Sequence, residues 1–384
     1  PAPQPKRPRK ASALLLGTAL GAIVGLGYGR GAYAQGVTPP GDLSSSNEAT
    51  VEITGPGIFE TQDGFSVDTS GGSGNGITIT TPSGETADTI FNDQNGSVIT
   101  GAAYGIYADN DGTGALSITT TGTVTGTTRY GIDVENSSNG KALQITAYGS
   151  VTAYLNAIHA NQFGNADLIV TTHSAVMSDI ERGIHGKQIG NGNLQISAFG
   201  DITADEDGIR AAHYGNGAVT VETTAAIVSK DDGIDAFLDG VGDITVEVRG
   251  TIDAGGDNSF FSGFGPFTDA AVYANHSGSG NVIIRATDAI SGARGVAAKH
   301  GGSGALSITT TADVEGTGNT YGAGIYARAS GVGAAGATDL AGNSLDGVSL
   351  AITANNVTGG TDGINAVNDG DGALSITTSG AIDG

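Results

Sequence analysis

The chain has 384 residues, 66 of them Gly, with no Cys or Trp, one Met, and 16 basic against 39 acidic side chains, a formal charge of −23. That sign of charge argues against a protein that neutralises nucleic-acid phosphates, and the lack of Cys removes disulfide frameworks, thiolate metal sites and Cys nucleophiles. Gly without a three-residue period is not collagen, and Val, Ile, Leu and Thr recurring throughout argue against a disordered chain.

The first 34 residues read as a secretory signal. Lys6, Arg7, Arg9 and Lys10 form a positive start, Ala11 to Tyr28 an apolar stretch interrupted by Gly, and Ala32-Tyr33-Ala34 a small-x-small cleavage pattern before Gln35. Cleavage after Ala34 would leave 11 basic and 39 acidic residues, or −28. Residues 35–50 are expected to be a cap or linker. Residues 51–384 are expected to carry the folded region, which stops partway through a motif and reads as a C-terminally truncated piece.

From residue 51 onward one three-part phrase returns with a period near 25. Its first part is an apolar-x-apolar pair: Val51/Ile53, Ile77/Ile79, Leu116/Ile118, Leu143/Ile145, Leu168/Val170, Leu194/Ile196, Val219/Val221, Ile244/Val246, Val282/Ile284, Leu306/Ile308, Leu350/Ile352 and Leu374/Ile376. The second is a single Val or Ile, such as Val124, Val151 or Ile202. The third is Gly-Ile-x-Ala, as at 105–108, 208–211, 233–236, 324–327 and 363–366. Apolar residues alternate with Thr, Ser or Asp, which is strand periodicity.

Three short strands in 25 residues are too few for a propeller blade. The predicted fold is all-β, a right-handed parallel β-helix of about twelve coils, its hand following the rule for parallel crossovers. Gly-x-Gly before many Leu-x-Ile strands supplies corners where one backbone lies close on the next. The core is expected to be a narrow stack of Val, Ile, Leu and Ala. Stretches 80–97 and 328–346 are expected to be polar or Ala/Gly-rich spacers, while the insertion between Ile252 and Val272 concentrates Phe260, Phe261, Phe264 and Phe267.

The phrases Gly-Ala-Leu-Ser-Ile-Thr-Thr at 114–120, 304–310 and 372–378, with Tyr-Gly-Ile and its relatives behind a secretory signal, resemble the passenger region of bacterial autotransporters. The resemblance covers roughly residues 36–384 and extends to two-partner hemagglutinin-like proteins. It implies export through the periplasm to the outer-membrane surface or beyond, a C-terminal or separate outer-membrane β-barrel as partner, and a role as stalk or adhesin for a host or cell-surface protein or glycan. No barrel-like run of strands follows in this chain.

No Gly-x-Ser-x-Gly, His-Glu-x-x-His or phosphate-binding motif occurs, so no catalysis, metal or cofactor is expected. The turns Asp109-Asn110-Asp111-Gly112 and Asp369-Gly370-Asp371-Gly372 lack a full calcium ligand set and read as solvated turns. Two candidate sites remain. One is the Phe cluster, a binding loop if exposed. The other is the ladder that stacking makes of the variable residue in Gly-Ile-x-Ala, running Tyr107, Asp133, His159, His185, Arg210, Asp235, Tyr273, Ala297, Tyr326 and Asn365, and expected to point outward. Its segment Asp133, His159, His185, Arg210, Asp235 could bind a carboxylate or metal, against a plainer reading as a charge-balanced face. A polysaccharide lyase or hydrolase is the alternative, resting on Asp205/Asp207, Asp231/Asp232 and Asp235 with Lys230 and Arg210.

Overall fold

The computed structural model describes residues 50–255, 269–318, 322–331 and 338–384. Residues 1–34, read above as a signal, nearly all of the 35–50 stretch expected to be a cap or linker, and the whole Phe260, Phe261, Phe264, Phe267 cluster lie outside the described residues. The described strands form three sheets of twelve parallel strands each. The chain visits a first sheet, which holds the Gly-Ile-x-Ala strands, then a second with the Leu-x-Ile strands and a third of short strands, and returns to the first one coil higher. The result is a parallel β-solenoid of twelve coils.

Each strand pairs with its equivalents in the coils before and after it. Ile132, Ile158, Ile184, Ile209 and Ile234 stand directly over one another, as do Leu143, Leu168, Leu194, Val219 and Ile244. The side-chain period of two then puts Leu116, Ile118 and Thr120 inside and Ser117 and Thr119 outside, and nearly every strand repeats the pattern. Inward Val, Ile, Leu and Ala form one continuous, fully buried cluster. Hydrogen bonds between coils run along the axis and satisfy the backbone, so a core with few aromatics suffices.

Two readings of the N-terminal coils are corrected. Val51–Thr54 and Ile77–Thr81 belong to the first sheet, where Ile77 pairs with Ile106, and not to the Leu-x-Ile series. Alternating apolar residues specify a strand but not which of three similar faces it joins. Leu116 is instead preceded in its sheet by Thr89–Asn92 and Gly57–Glu60. The supposed spacer 80–97 therefore contains a strand, with Phe91 in the core. Asp93 ends that strand as a buried hub. It accepts hydrogen bonds from the Thr61 hydroxyl at 2.8 Å, the Ser97 hydroxyl at 2.7 Å and the Gly122 N–H at 2.9 Å. Burial alone would raise its pKa, but these donors outweigh it and bring it down to about 2. Within 328–346, Leu345 packs against Ala305 in a small satellite cluster, so that stretch is not purely a spacer either.

The core also contains a polar column that the aliphatic expectation missed. The last inward position of the first sheet reads Thr81, Asn110, Asn136, Gln162, Gln188, His213, Leu238, His276, His300, Ala329 and Asn368, all in register. Its polar side chains clamp the corner that follows or the equivalent corner of the coil below. Asn110 Nδ2 donates to Gly114 O at 3.1 Å and Gln188 Nε2 to Ala166 O at 3.0 Å. His213 Nε2 lies 2.6 Å from Gly192 O while its Nδ1 accepts from the Gly215 N–H, and His276 bridges Gly242 O and the Gly278 N–H in the same way. Both imidazoles are thereby the neutral Nε2–H tautomer, and burial lowers their pKa.

Candidate functional site

The outer face of the first sheet gathers the chemistry. The register places Tyr107, Asp133, His159, His185, Arg210, Asp235, Tyr273, Ala297, Tyr326 and Asn365 in one column, in the order read from the sequence. The column lies outside the aliphatic core, yet Asp133 and Asp235 are each only 6 % exposed. Beside it runs a second column, of which sequence reading singled out only Asp207 and Asp232, as paired acids. It consists of the residues just before each Gly-Ile corner or its Ala157-Ile158 equivalent: Tyr104, Tyr130, Asn156, Arg182, Asp207 and Asp232. The three-residue offset from ladder to corner was visible in the sequence. That the corner side chains fold back over the ladder was not.

The lower coils carry an aromatic and imidazole stack. Tyr104 lies 5.3 Å from Tyr107 and 5.7 Å from Tyr130, Tyr130 lies 5.1 Å from His159, and His159 lies 5.1 Å from His185. Arg129 covers Tyr104 at 5.6 Å and donates to its hydroxyl at 2.8 Å. His159 Nδ1 is bound to Asp133 Oδ1 at 2.7 Å. Burial first, then the neighbouring His159 and Arg182, drives the His185 pKa down to about 2, so its ring is neutral. Burial and the carboxylates Asp109 and Glu135 push Tyr107 up to about 12. The two imidazoles pack against each other at a tilt of 47°, and His159 engages one nitrogen with Asp133.

Higher up lies a carboxylate and guanidinium cluster. Arg182 contacts Asp207 at 2.8 Å and Glu206 at 2.9 Å, and Arg210 contacts Asp235 at 2.8 Å and Asp207 at 3.6 Å. Asp232 accepts the Ala270 N–H at 2.7 Å. Carboxylate oxygens of Asp207, Asp231 and Asp232 lie within 4.8 Å of one another, the one grouping among the described residues with metal-ligand spacing. With carboxylates outnumbering guanidiniums, burial and mutual repulsion raise Asp232 well above the usual range and Asp231 to about 8. Burial raises Asp235 to about 7 against the pull of Arg210. The cluster can hold protons at neutral pH or offer hard oxygen ligands to a cation. Its members Asp207 and Asp232 are 2 % and 4 % exposed, beneath the surface that a polymer would touch. Lys230 stands apart, paired with Asp205.

Comparison of the chain with family models, curated proteins and solved structures finds no match.

Proposed function

We propose that this chain is a non-catalytic, surface-displayed rod, an autotransporter-like passenger whose first sheet presents a binding face to a host or cell-surface protein or glycan. The observation that carries the reading is the outer face itself. Half-buried Tyr104, Tyr107, Tyr130 and His159 pack together in tilted pairs over consecutive coils, offering rigid, amphipathic contact area at low entropic cost. Secretion and outer-membrane display rest on the N-terminal segment and the resemblance in repeat phrases. A Cys-free, strongly acidic chain that folds by stacking neighbouring coils suits passage through a pore unfolded.

The polysaccharide-degrading alternative has one observation in its favour, the raised pKa of Asp231 and Asp235, as a general acid needs. The burial of Asp207, Asp232 and Asp235 weighs against it, because a general acid must reach the glycosidic oxygen. The test is binding of the full chain to a printed array of glycans and extracellular-matrix proteins. The Tyr104→Ala/Tyr130→Ala variant should bind about tenfold more weakly while unfolding at the same temperature. In parallel, incubation with polygalacturonate and alginate, with and without calcium, should release no product. Product release abolished by Asp231→Asn would establish the enzyme reading in its place.

A further inference from the structure

A group of carboxylates on the lower coils of the first sheet has no cation paired to it. Tyr107 and Asp109 alternate on one strand and project to the same side, with Asp133 and Glu135 as their register partners one coil up, about 4.8 Å away. Asp111 stands exposed at the corner that follows. Asp133 is bound to His159, but Asp109, Asp111 and Glu135 have no cationic partner among the described residues. Burial, followed by Asp111, Glu135 and Asp133, raises the pKa of Asp109. Higher on the same face Arg182 and Arg210 meet Asp207 and Asp235, so guanidiniums serve the carboxylates there and none serves them here.

Asn161, the register partner of Glu135 in the next coil, is 7 % exposed. Its Nδ2 donates to Glu135 Oε1 at 3.3 Å, while its Oδ1 has no donor. A buried acceptor without a donor is uncommon, and this one adjoins an unpaired carboxylate, so the two together call for N–H groups that carry positive charge. No three of these carboxylates come within metal-ligand spacing, which among the described residues only Asp207, Asp231 and Asp232 reach. The neighbouring rings point to an organic cation as well. Tyr107 and Tyr130 flank Tyr104 at 5.3 and 5.7 Å, and Tyr104 already carries the guanidinium of Arg129 at 5.6 Å from its ring centre.

We infer that the outer face around Tyr107, Asp109 and Glu135 takes an arginine side chain from a basic segment of a partner protein, a partner that rests on reading the first sheet as a binding face. A guanidinium can lie against the Tyr107 ring while its forked N–H groups meet the Asp109 and Glu135 carboxylates, with Asn161 Oδ1 as a further acceptor. A lysine ammonium, a compact point charge, matches this spread of acceptors less well. The encounter is favoured too, since a chain of charge −23 attracts basic segments and repels acidic ones.

The test is isothermal titration calorimetry of the full chain with a blocked Arg-Gly-Arg-Gly-Arg peptide and its citrulline counterpart, which keeps the shape and loses the charge. The arginine peptide is expected to bind at least about tenfold more tightly, and Asp109→Asn/Glu135→Gln should remove about that factor. Asp288→Asn/Glu315→Gln makes the same charge change at exposed acids off the first sheet and should leave binding as it is. Should Asp109→Asn/Glu135→Gln misfold, the two peptides on the unaltered chain carry the test. No binding of the arginine peptide, equal binding of the citrulline one, undiminished binding by a folded Asp109→Asn/Glu135→Gln, or an equal loss in Asp288→Asn/Glu315→Gln overturns the inference. The array separates the two readings. Tyrosine-dependent binding there with no arginine peptide bound removes the arginine site alone, whereas array binding indifferent to Tyr104→Ala/Tyr130→Ala removes the binding face itself.

Discussion

At the scale of single residues, protonation separates two populations of buried groups. Asp231, Asp232 and Asp235 hold protons more tightly folded than unfolded, so each favours the folded state increasingly as pH falls from about 8 towards the unfolded value of 3.8. His185, His213, His276 and His300 have lowered pKa values, so their contribution is complete above the unfolded value of 6.5 and is lost as pH falls below it. Acidification from about pH 8 to about 6.5 should therefore stabilise the molecule, and further acidification should work against that gain. Asp232→Asn keeps an oxygen for the Ala270 N–H and removes the repulsion with Asp207, Asp231 and Asp235. It should raise the unfolding midpoint by about 2–4 °C near pH 7.5, with the difference shrinking towards pH 4, in a pH series of thermal melts. A variant that melts lower than the parent at pH 7.5 would show that Asp232 is held as a carboxylate by its neighbours.

At the scale of the element, a coil depends on its corners as much as on its strands. A Cβ on Gly240 would run into the Gly215 carbonyl of the preceding coil, where the strands on either side are already locked in register. Gly240→Ala should thus destabilise the chain by about 1–3 kcal/mol in denaturant titration, although the same exchange in an ordinary strand is neutral or favourable. The clamps from His213 and His276 reinforce the same corners from inside, by pairing backbone groups that the turn would leave buried and unmatched. Leu238 occupies the equivalent position between them, so a coil can also close without a polar clamp.

At the scale of the whole molecule, stability is close to a sum over neighbouring coils. Val219 lies over Leu194, 25 residues earlier, and the same faces recur above and below. Deleting residues 194–218 removes one complete coil and rejoins equivalent positions. The shortened chain should keep its strand content by circular dichroism and unfold at a modestly lower denaturant concentration. Loss of folded structure on that deletion would mean that the coils are not interchangeable units. The same additivity lets the outer face vary from coil to coil, from Tyr and His to Asp and Arg to Lys and Arg, while the inward pattern stays constant.

Periodicity alone determined the parallel solenoid, the count of twelve coils and the order of the outer ladder from Tyr107 to Asn365, because a side-chain period of two and a fixed spacing leave one way to stack. Only tertiary structure decided the rest. Val51 and Ile77 carry the same alternation whichever face they join, so their sheet follows from pairing with neighbours. The Asn, Gln and His column looks like outward polarity until the strand end turns it onto the next corner. The proton-holding cluster arises between coils, from side chains about 25 to 40 residues apart, where electrostatics depend on distances that spacing along the chain does not encode.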